Sequence, residues 1–172
     1  QDYPAYEVIF VVDDEGDPAV PVIDEIVSRK DAESQSVDDP CSGDPALFRV
    51  VSSKLIVAPK AIGSSQKVEN LREAVLHTDE RSEVLVFVDS DARPASNWLR
   101  SLVAPLSDES IGAASGYRWF LSEKPTFASE LRSAWNASIA SALGPNVKSN
   151  FCWGGSTAIR RHTFERIGMR DK

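Results

Sequence analysis

Val84-Leu85-Val86-Phe87-Val88-Asp89-Ser90-Asp91 is the stretch on which the reading of this chain turns. Its five apolar residues, three of them β-branched valines, predict a strand buried on both faces. Two carboxylates follow at its C-terminal end, one residue apart. In open α/β sheets ligands bind outside that end of the strands. Two acids so close either repel each other or share a cation. A divalent metal holding a phosphate-bearing substrate is the sharper reading; a turn whose acids cap the next helix is the plainer one. The motif alone leaves both open.

Outward from this strand, the chain alternates. Tyr6 to Val12 reads as a strand that also ends in acids, Asp13-Asp14-Glu15-Gly16-Asp17. Pro18 suits the first turn of a helix whose stripe is Val20, Ile23, Ile26 and Val27. Asp31 to Pro45 is polar and turn-rich, which predicts a solvated, mobile loop over about 31–46. Phe48 to Val51 and Lys54 to Ala58 are β-like runs that form one bent strand or two. Ser64 or Ser65 caps a helix with Val68, Leu71, Val75 and Leu76 inward, and Lys67 and Asn70 on one side of its first turns. A helix N-terminus beside a lysine can receive an anion; an exposed Lys and Asn on an amphipathic helix is the alternative.

After the central strand, Pro94 and Ser96 open a helix with Trp98, Leu99, Leu102 and Val103 as its apolar face. Ile111 to Ser115 is a short strand, followed by Gly116-Tyr117-Arg118-Trp119-Phe120. Thr126 caps a long helix with Phe127, Leu131, Ala134, Trp135, Ser138 and Ala142 on one stripe, ended by Gly144-Pro145. The loop Phe151-Cys152-Trp153-Gly154-Gly155-Ser156 leads into a last short strand, Thr157 to Ile159, and a short helix closed by Gly168. Strand and helix alternate throughout, which implies an α/β fold with a mostly parallel sheet and helices on both faces.

With 172 residues, 42% hydrophobic and 26% charged, the chain suits one domain with a sizeable core. A formal net charge of −7 and a pI of about 4.9 argue against nucleic acid as partner. An anionic ligand then needs a local cation. Cys41 and Cys152 lack CxxC neighbours and read as free thiols of a reducing compartment. No apolar run reaches the roughly 18 residues needed to span a bilayer, and no signal peptide is visible, so the chain as given reads as soluble. Asn136-Ala137-Ser138 matches a glycosylation sequon within a helical pattern.

Three α/β families place an acid at the end of such a strand. The P-loop NTPases are set aside because no G-x-x-x-x-G-K-[ST] occurs. Receiver domains are resembled by Val11-Val12-Asp13-Asp14-Glu15, by Asp89 as the phosphorylated residue and by Lys124-Pro125. The spacing fails, however, and the chain runs on past Lys-Pro with its own strand and glycine loop. The resemblance that covers the whole chain is to the GT-A glycosyltransferases, in their ceramide glucosyltransferase-like branch (family 21) and its bacterial members. It rests on Asp2-Tyr3-Pro4-Ala5-Tyr6-Glu7-Val8 followed by Asp14-Glu15-Gly16-Asp17-Pro18, on Lys67-Val68-Glu69-Asn70-Leu71, and on the D-x-D of Asp89-Ser90-Asp91. Gly116-Tyr117-Arg118-Trp119 and Gly154-Gly155-Ser156 then follow in order.

That resemblance implies a three-layer GT-A fold, as a single catalytic domain over 1–172 truncated at both ends. It implies transfer of a sugar, with glucose the expected one, from a UDP-sugar to a lipid hydroxyl (ceramide-like or other) with inversion. Mg²⁺ or Mn²⁺ held by Asp91, with Asp89 nearby, would neutralise the charge that develops on the diphosphate. Asp14 would contact uracil or ribose. Lys67, Asn70 and Ser90 would belong to the nucleotide-sugar side, with Asp17 a lesser helper. Gly154 and Gly155 would let backbone come close to donor or acceptor. Tyr117, Arg118, Trp119 and Trp153 would form the acceptor side, or else fill space as core aromatics; a Tyr-Arg-Trp run on a loop favours the acceptor side. The family's general base and its Gln-x-x-Arg-Trp motif are expected beyond Lys172, since no pattern around Asp171 supports a base. Membrane segments of the full-length protein, at a cytoplasmic membrane face, are expected outside this stretch, as is the first strand of the fold. The alternatives are a receiver-like signalling domain phosphorylated on Asp89 and a binding domain that has kept the fold alone.

Overall fold

The computed structural model describes residues 1–35, 49–117, 122–143 and 150–169. The expectations placed on Cys41, Arg118, Trp119, Gly144-Pro145 and Asp171, and on the loop from 36 onward, lie outside these residues. In chain order the elements are β1 (Ala5–Val12), α1 (Val20–Gln35), β2 (Arg49–Val57), α2 (Gln66–Leu76), β3 (Val84–Val88) and α3 (Trp98–Val103) with a 3₁₀ turn (Ala104–Ser107). They continue with β4 (Ala113–Ser115), α4 (Phe127–Leu143), β5 (Ser156–Arg160) and α5 (Arg161–Arg166).

The alternation of strands and helices is as expected, but the strands pair differently. β1 and β2 form a parallel two-stranded sheet. β3, β5 and β4 form a second sheet with β5 in the middle, antiparallel to both neighbours. The mostly parallel sheet is therefore not what the described strands build. Alternation implies parallel strands only if each crossover returns the chain to the starting edge. The excursion that carries α4 instead leaves at Ser115 and comes back at the same end, where Ser115 faces Thr157 and Val88 faces Ser156.

Side chains of β3 alternate between two apolar clusters, as the twofold period of a strand requires. On one face Leu85 is buried with Ile159 and Phe164, joined by Phe87 and by Val75 of α2. On the other, Leu102, Leu106 and the fully buried Ala158 gather Val84, Val86, Trp98 and Ile111. The strand is thus covered on both faces, by α2 and α5 on one side and by α3 with its 3₁₀ turn on the other.

Elsewhere the patterns are adjusted. Of the run expected from Phe48 to Ala58, Phe48 lies outside the described residues and Arg49–Val57 forms one strand, bent where Val51 is skipped between the pairs Tyr6–Val50 and Glu7–Ser52. Asp31 to Gln35, expected in the loop, continues α1; Ala, Glu and Gln are good helix formers and no Gly or Pro interrupts them. In α2 Leu71 and Val75 turn inward but Val68 and Leu76 are exposed. Thr126 does cap α4, accepting from Ser129 N at 3.2 Å. Yet the stripe Phe127, Leu131 and Trp135 is 85%, 56% and 71% exposed, while Ser129, Ser133, Asn136 and Ala137 are half-buried. Periodicity marks an apolar face; it does not say which neighbour covers it.

The two sheets are joined at the end away from the D-x-D. The largely buried Glu7 carboxylate of β1 accepts from Asp79 N at 2.8 Å and Ser82 Oγ at 2.7 Å. Lys54 of β2 lies 3.6 Å from the same carboxylate and donates to His77 O, at the C-terminus of α2, at 3.0 Å. From β5's end, Arg161 Nε donates to Ser82 O at 2.7 Å, and its Nη2 to Thr78 Oγ1 at 2.9 Å and Asp79 O at 2.7 Å. The lead-in residues are docked as well. Asp2 N donates to Ser96 O at 2.7 Å, and Arg100 pairs with the Asp2 carboxylate at 3.1 Å.

Two substitutions test these ties. Glu7→Ala strands two donors and should lower stability by about 1–3 kcal/mol, read as a lower urea midpoint at constant m value. An unchanged midpoint would show that the joint does not hold the sheets. Gly116→Ala puts a Cβ well inside contact distance of Ser156 Oγ, the group to which Trp98 Nε1 donates at 3.1 Å. It should cost about 1–3 kcal/mol. Gly154→Ala, where an added Cβ meets nothing within 4 Å, should stay within about 0.5 kcal/mol in the same melt.

Candidate functional site

The antiparallel placement of β5 decides what the site contains. It brings together the C-terminal ends of β3 and β4 and the loop that enters β5. The ladder continues one step beyond β3, with Asp89 N donating to Gly155 O at 3.2 Å, and one step beyond β4, with Gly116 N donating to Ser156 O at 2.9 Å. Gly155 has φ +90°, a left-handed conformation that a side chain would strain. Residues far apart in the chain, 89–91, 115–117 and 151–156, thus share one sheet end.

At this end Asp89, Ser90, Asp91 and Ala92 form a tight turn closed by Ala92 N to Asp89 O at 3.1 Å. The next helix does not begin until Trp98; its N-cap is Asn97, which makes no side-chain cap hydrogen bond. The acids therefore cap nothing, and the plainer reading of the motif falls away. Asp89 is half-buried and its carboxylate pairs with Lys67 Nζ. Lys67 comes from the first turn of α2, which follows β2 after the loop 58–65; Ser65 caps it, accepting from Val68 N at 3.3 Å. Ser90 and Asp91 are exposed, and among the described residues the Asp91 carboxylate makes no hydrogen bond or ion pair.

Asn70, expected beside Lys67, is tied elsewhere. Its Oδ1 accepts from Gln66 Nε2 at 2.8 Å, and Gln66 in turn bonds Pro59 O at 2.9 Å and Ala61 N at 2.9 Å. Asn70 thus steadies the loop ahead of α2. At the end of β1, Asp14 accepts from Gly16 N at 2.8 Å and Asp17 from Ala19 N at 2.8 Å, so Asp17 serves the start of α1. Lys60 Nζ lies 3.2 Å from Asp13 and 3.8 Å from Asp14. Reading by motif overlooked Lys60. The signal was available: β1 and β2 are parallel neighbours, so the residues that follow both strands must meet, as Ala58 N to Val12 O at 2.8 Å shows.

On the other side of the turn the aromatics cluster. Tyr117 and Trp153 meet edge to face with centroids 6.0 Å apart, and Phe151 lies 5.5 Å from Trp153. Asn136 of α4 donates to the Tyr117 hydroxyl at 3.0 Å. Ser115 Oγ accepts from Trp153 N at 2.7 Å, which holds the loop onto β4. Tyr117 and Trp153 are half-buried rather than core, and Gly154 borders open space. Partial desolvation pushes the free Cys152 thiol up from its ordinary value.

The donor set fits a hard divalent ion of one kind. Among the described residues no group of three or more His, Cys, Asp or Glu could cage a metal. One exposed carboxylate without a partner among the described residues, with a second one residue away, would suit an ion such as Mg²⁺. Such an ion takes one or two carboxylates and completes its octahedron with water and substrate phosphate oxygens.

No helix among the described residues is long and apolar enough to cross a membrane. No solved structure matches the chain. The model of Glycosyl transferase family 21 matches residues 1–33 and 45–169, which include the D-x-D turn, Lys67 and the aromatic and glycine loop. With one sheet end presenting a carboxylate pair, a lysine and an aromatic wall, and with a match along most of its length, the chain belongs to glycosyl transferase family 21 and is a glycosyltransferase sequence.

Proposed function

We propose that this chain binds a UDP-sugar at the Asp89–Asp91 end of β3 and presents it to a lipid hydroxyl held on the Tyr117–Trp153 side, for transfer with inversion. In this reading the two sheets are the nucleotide and acceptor halves of a GT-A-type domain. The observation that supports it most is the Lys67–Asp89 pair beside Asp91, an acid with no protein partner among the described residues. A chain with net charge −7 repels a diphosphate in general, so a built-in local cation and a vacant carboxylate at one strand end are what such a ligand needs.

Each residue has work that follows from its chemistry. Asp91, with Asp89, would hold Mg²⁺ or Mn²⁺, which supplies neutralisation of the negative charge that grows on the leaving diphosphate. Lys67 adds a second positive charge to the same oxygens. Ser90 offers a hydroxyl on the exposed turn. Asp14, kept in place by Gly16 N and Lys60, is suited to accept from ribose hydroxyls or the uracil N–H. The flat faces of Tyr117 and Trp153 would take the lipid acceptor and shed water around the attacking hydroxyl. Arg118 and Trp119, outside the described residues, are assigned to the acceptor side by the family resemblance alone. In this reading glucose is the sugar transferred and a ceramide-like lipid the acceptor, as the resemblance to the ceramide glucosyltransferase-like branch implies. The family match lends nothing to a receiver-like role for Asp89.

Titration of UDP by calorimetry, with and without Mn²⁺, tests the donor site. Mn²⁺ should strengthen UDP binding in the wild-type chain, and Asp91→Ala should weaken the metal-dependent binding by at least about tenfold, the scale on which metal-site residues act. Equal affinity in all three cases would overturn the reading.

A further inference from the structure

We propose that Lys67 is a positioning residue that makes cation binding and nucleotide binding depend on each other. Its ammonium holds the place of the cation at Asp89 until a diphosphate draws it away. The inference rests on the donor-site reading above and adds to it an order of events.

The geometry carries the argument. Lys67 Nζ sits on Asp89 Oδ1. The acid is the fixed partner: its side chain is 23% exposed and its backbone N–H is bonded to Gly155 O. The lysine is the mobile partner: its side chain is 62% exposed on a flexible four-carbon stem. A divalent cation entering between Asp89 and Asp91 must compete with Lys67 for Asp89 and is repelled by its charge. Asp91 carries no such counter-ion among the described residues, so the obstacle acts on one ligand of the pair only. A diphosphate offers the ammonium a more highly charged partner within reach of a single side-chain swing. Once Lys67 turns to phosphate, its own claim on Asp89 no longer opposes the cation. Each ligand then removes the other's obstacle, and linkage requires the help to be equal in both directions. An ion pair this exposed shifts an equilibrium by no more than about fivefold, so the effect is a bias and not a lock.

Electron paramagnetic resonance of free Mn²⁺ reads the metal affinity directly, without and with saturating UDP, on the 172-residue chain. Lys67→Met should bind Mn²⁺ alone about two- to fivefold more tightly than wild type. The factor by which UDP strengthens Mn²⁺ binding should fall by about the same amount, and Lys67→Arg should keep the wild-type factor. Circular dichroism checks that each variant is folded, as expected for an exposed side chain. Two results separate the layers. Mn²⁺ binding by Lys67→Met no tighter than wild type, or an unchanged UDP factor, while Asp91→Ala still abolishes metal-dependent UDP binding, overturns the coupling alone. Loss of any Mn²⁺ dependence of UDP binding in wild type overturns the donor site and the coupling with it.

Discussion

The Glu7 carboxylate is the tie on which the rest of the structure depends. Two small sheets, one parallel and one antiparallel, share no strand ladder among the described residues. What fixes them to each other is the segment 77–82, gripped from one side by Glu7 and Lys54 and from the other by Arg161. A largely buried carboxylate that accepts two hydrogen bonds is costly to disturb, because each orphaned donor loses its partner away from water. Arg161 suits the opposite side, since its planar fork can serve several acceptors of one turn at once.

α2 runs from that joint to the site. Its C-terminus supplies His77 O to Lys54, while its first turn supplies Lys67 to Asp89. Eleven residues at about 1.5 Å each give a strut of roughly 16 Å, close to the length of β3 that it covers through Val75. The same helix therefore bridges the sheets at both ends, by backbone and buried polar groups at one and by a single exposed ion pair at the other. The rigid end holds the fold and the loose end borders the proposed donor site. Binding groups that must change partners are drawn from such weakly held positions.

The strand ending in Asp89-Ser90-Asp91 was readable from its residues, including its burial on both faces. So were nine-residue β2 as one of two options, the Ser65 and Thr126 caps, and the apolar face of α3; of the stripe expected on α1, Val20, Ile23 and Val27 are half-buried but Ile26 is exposed. These depend on local periodicity and on side chains that bond their own backbone. The family resemblance was legible too, because its motifs are short and ordered along the chain. What could not be read was partnership. Phe127, Leu131 and Trp135 form a stripe that the described residues leave exposed. Lys60 stands beside Asp13 and Asp14 with no motif to announce it.

From sequence alone came the element types, the charged turn at the end of β3, the shortage of positive charge and the family. These follow from composition and from spacing along one chain. Only the tertiary structure decided the direction of β5, and with it which loops meet. A strand's residues look the same whether its neighbour runs parallel or antiparallel; the path of the crossover chooses. That choice set Gly155 against Asp89 and Ser156 against Gly116. The acids, a possible helix cap in the sequence, stand clear of the next helix: Asp89 is half-buried and held by Lys67, and Asp91 is exposed with no partner among the described residues.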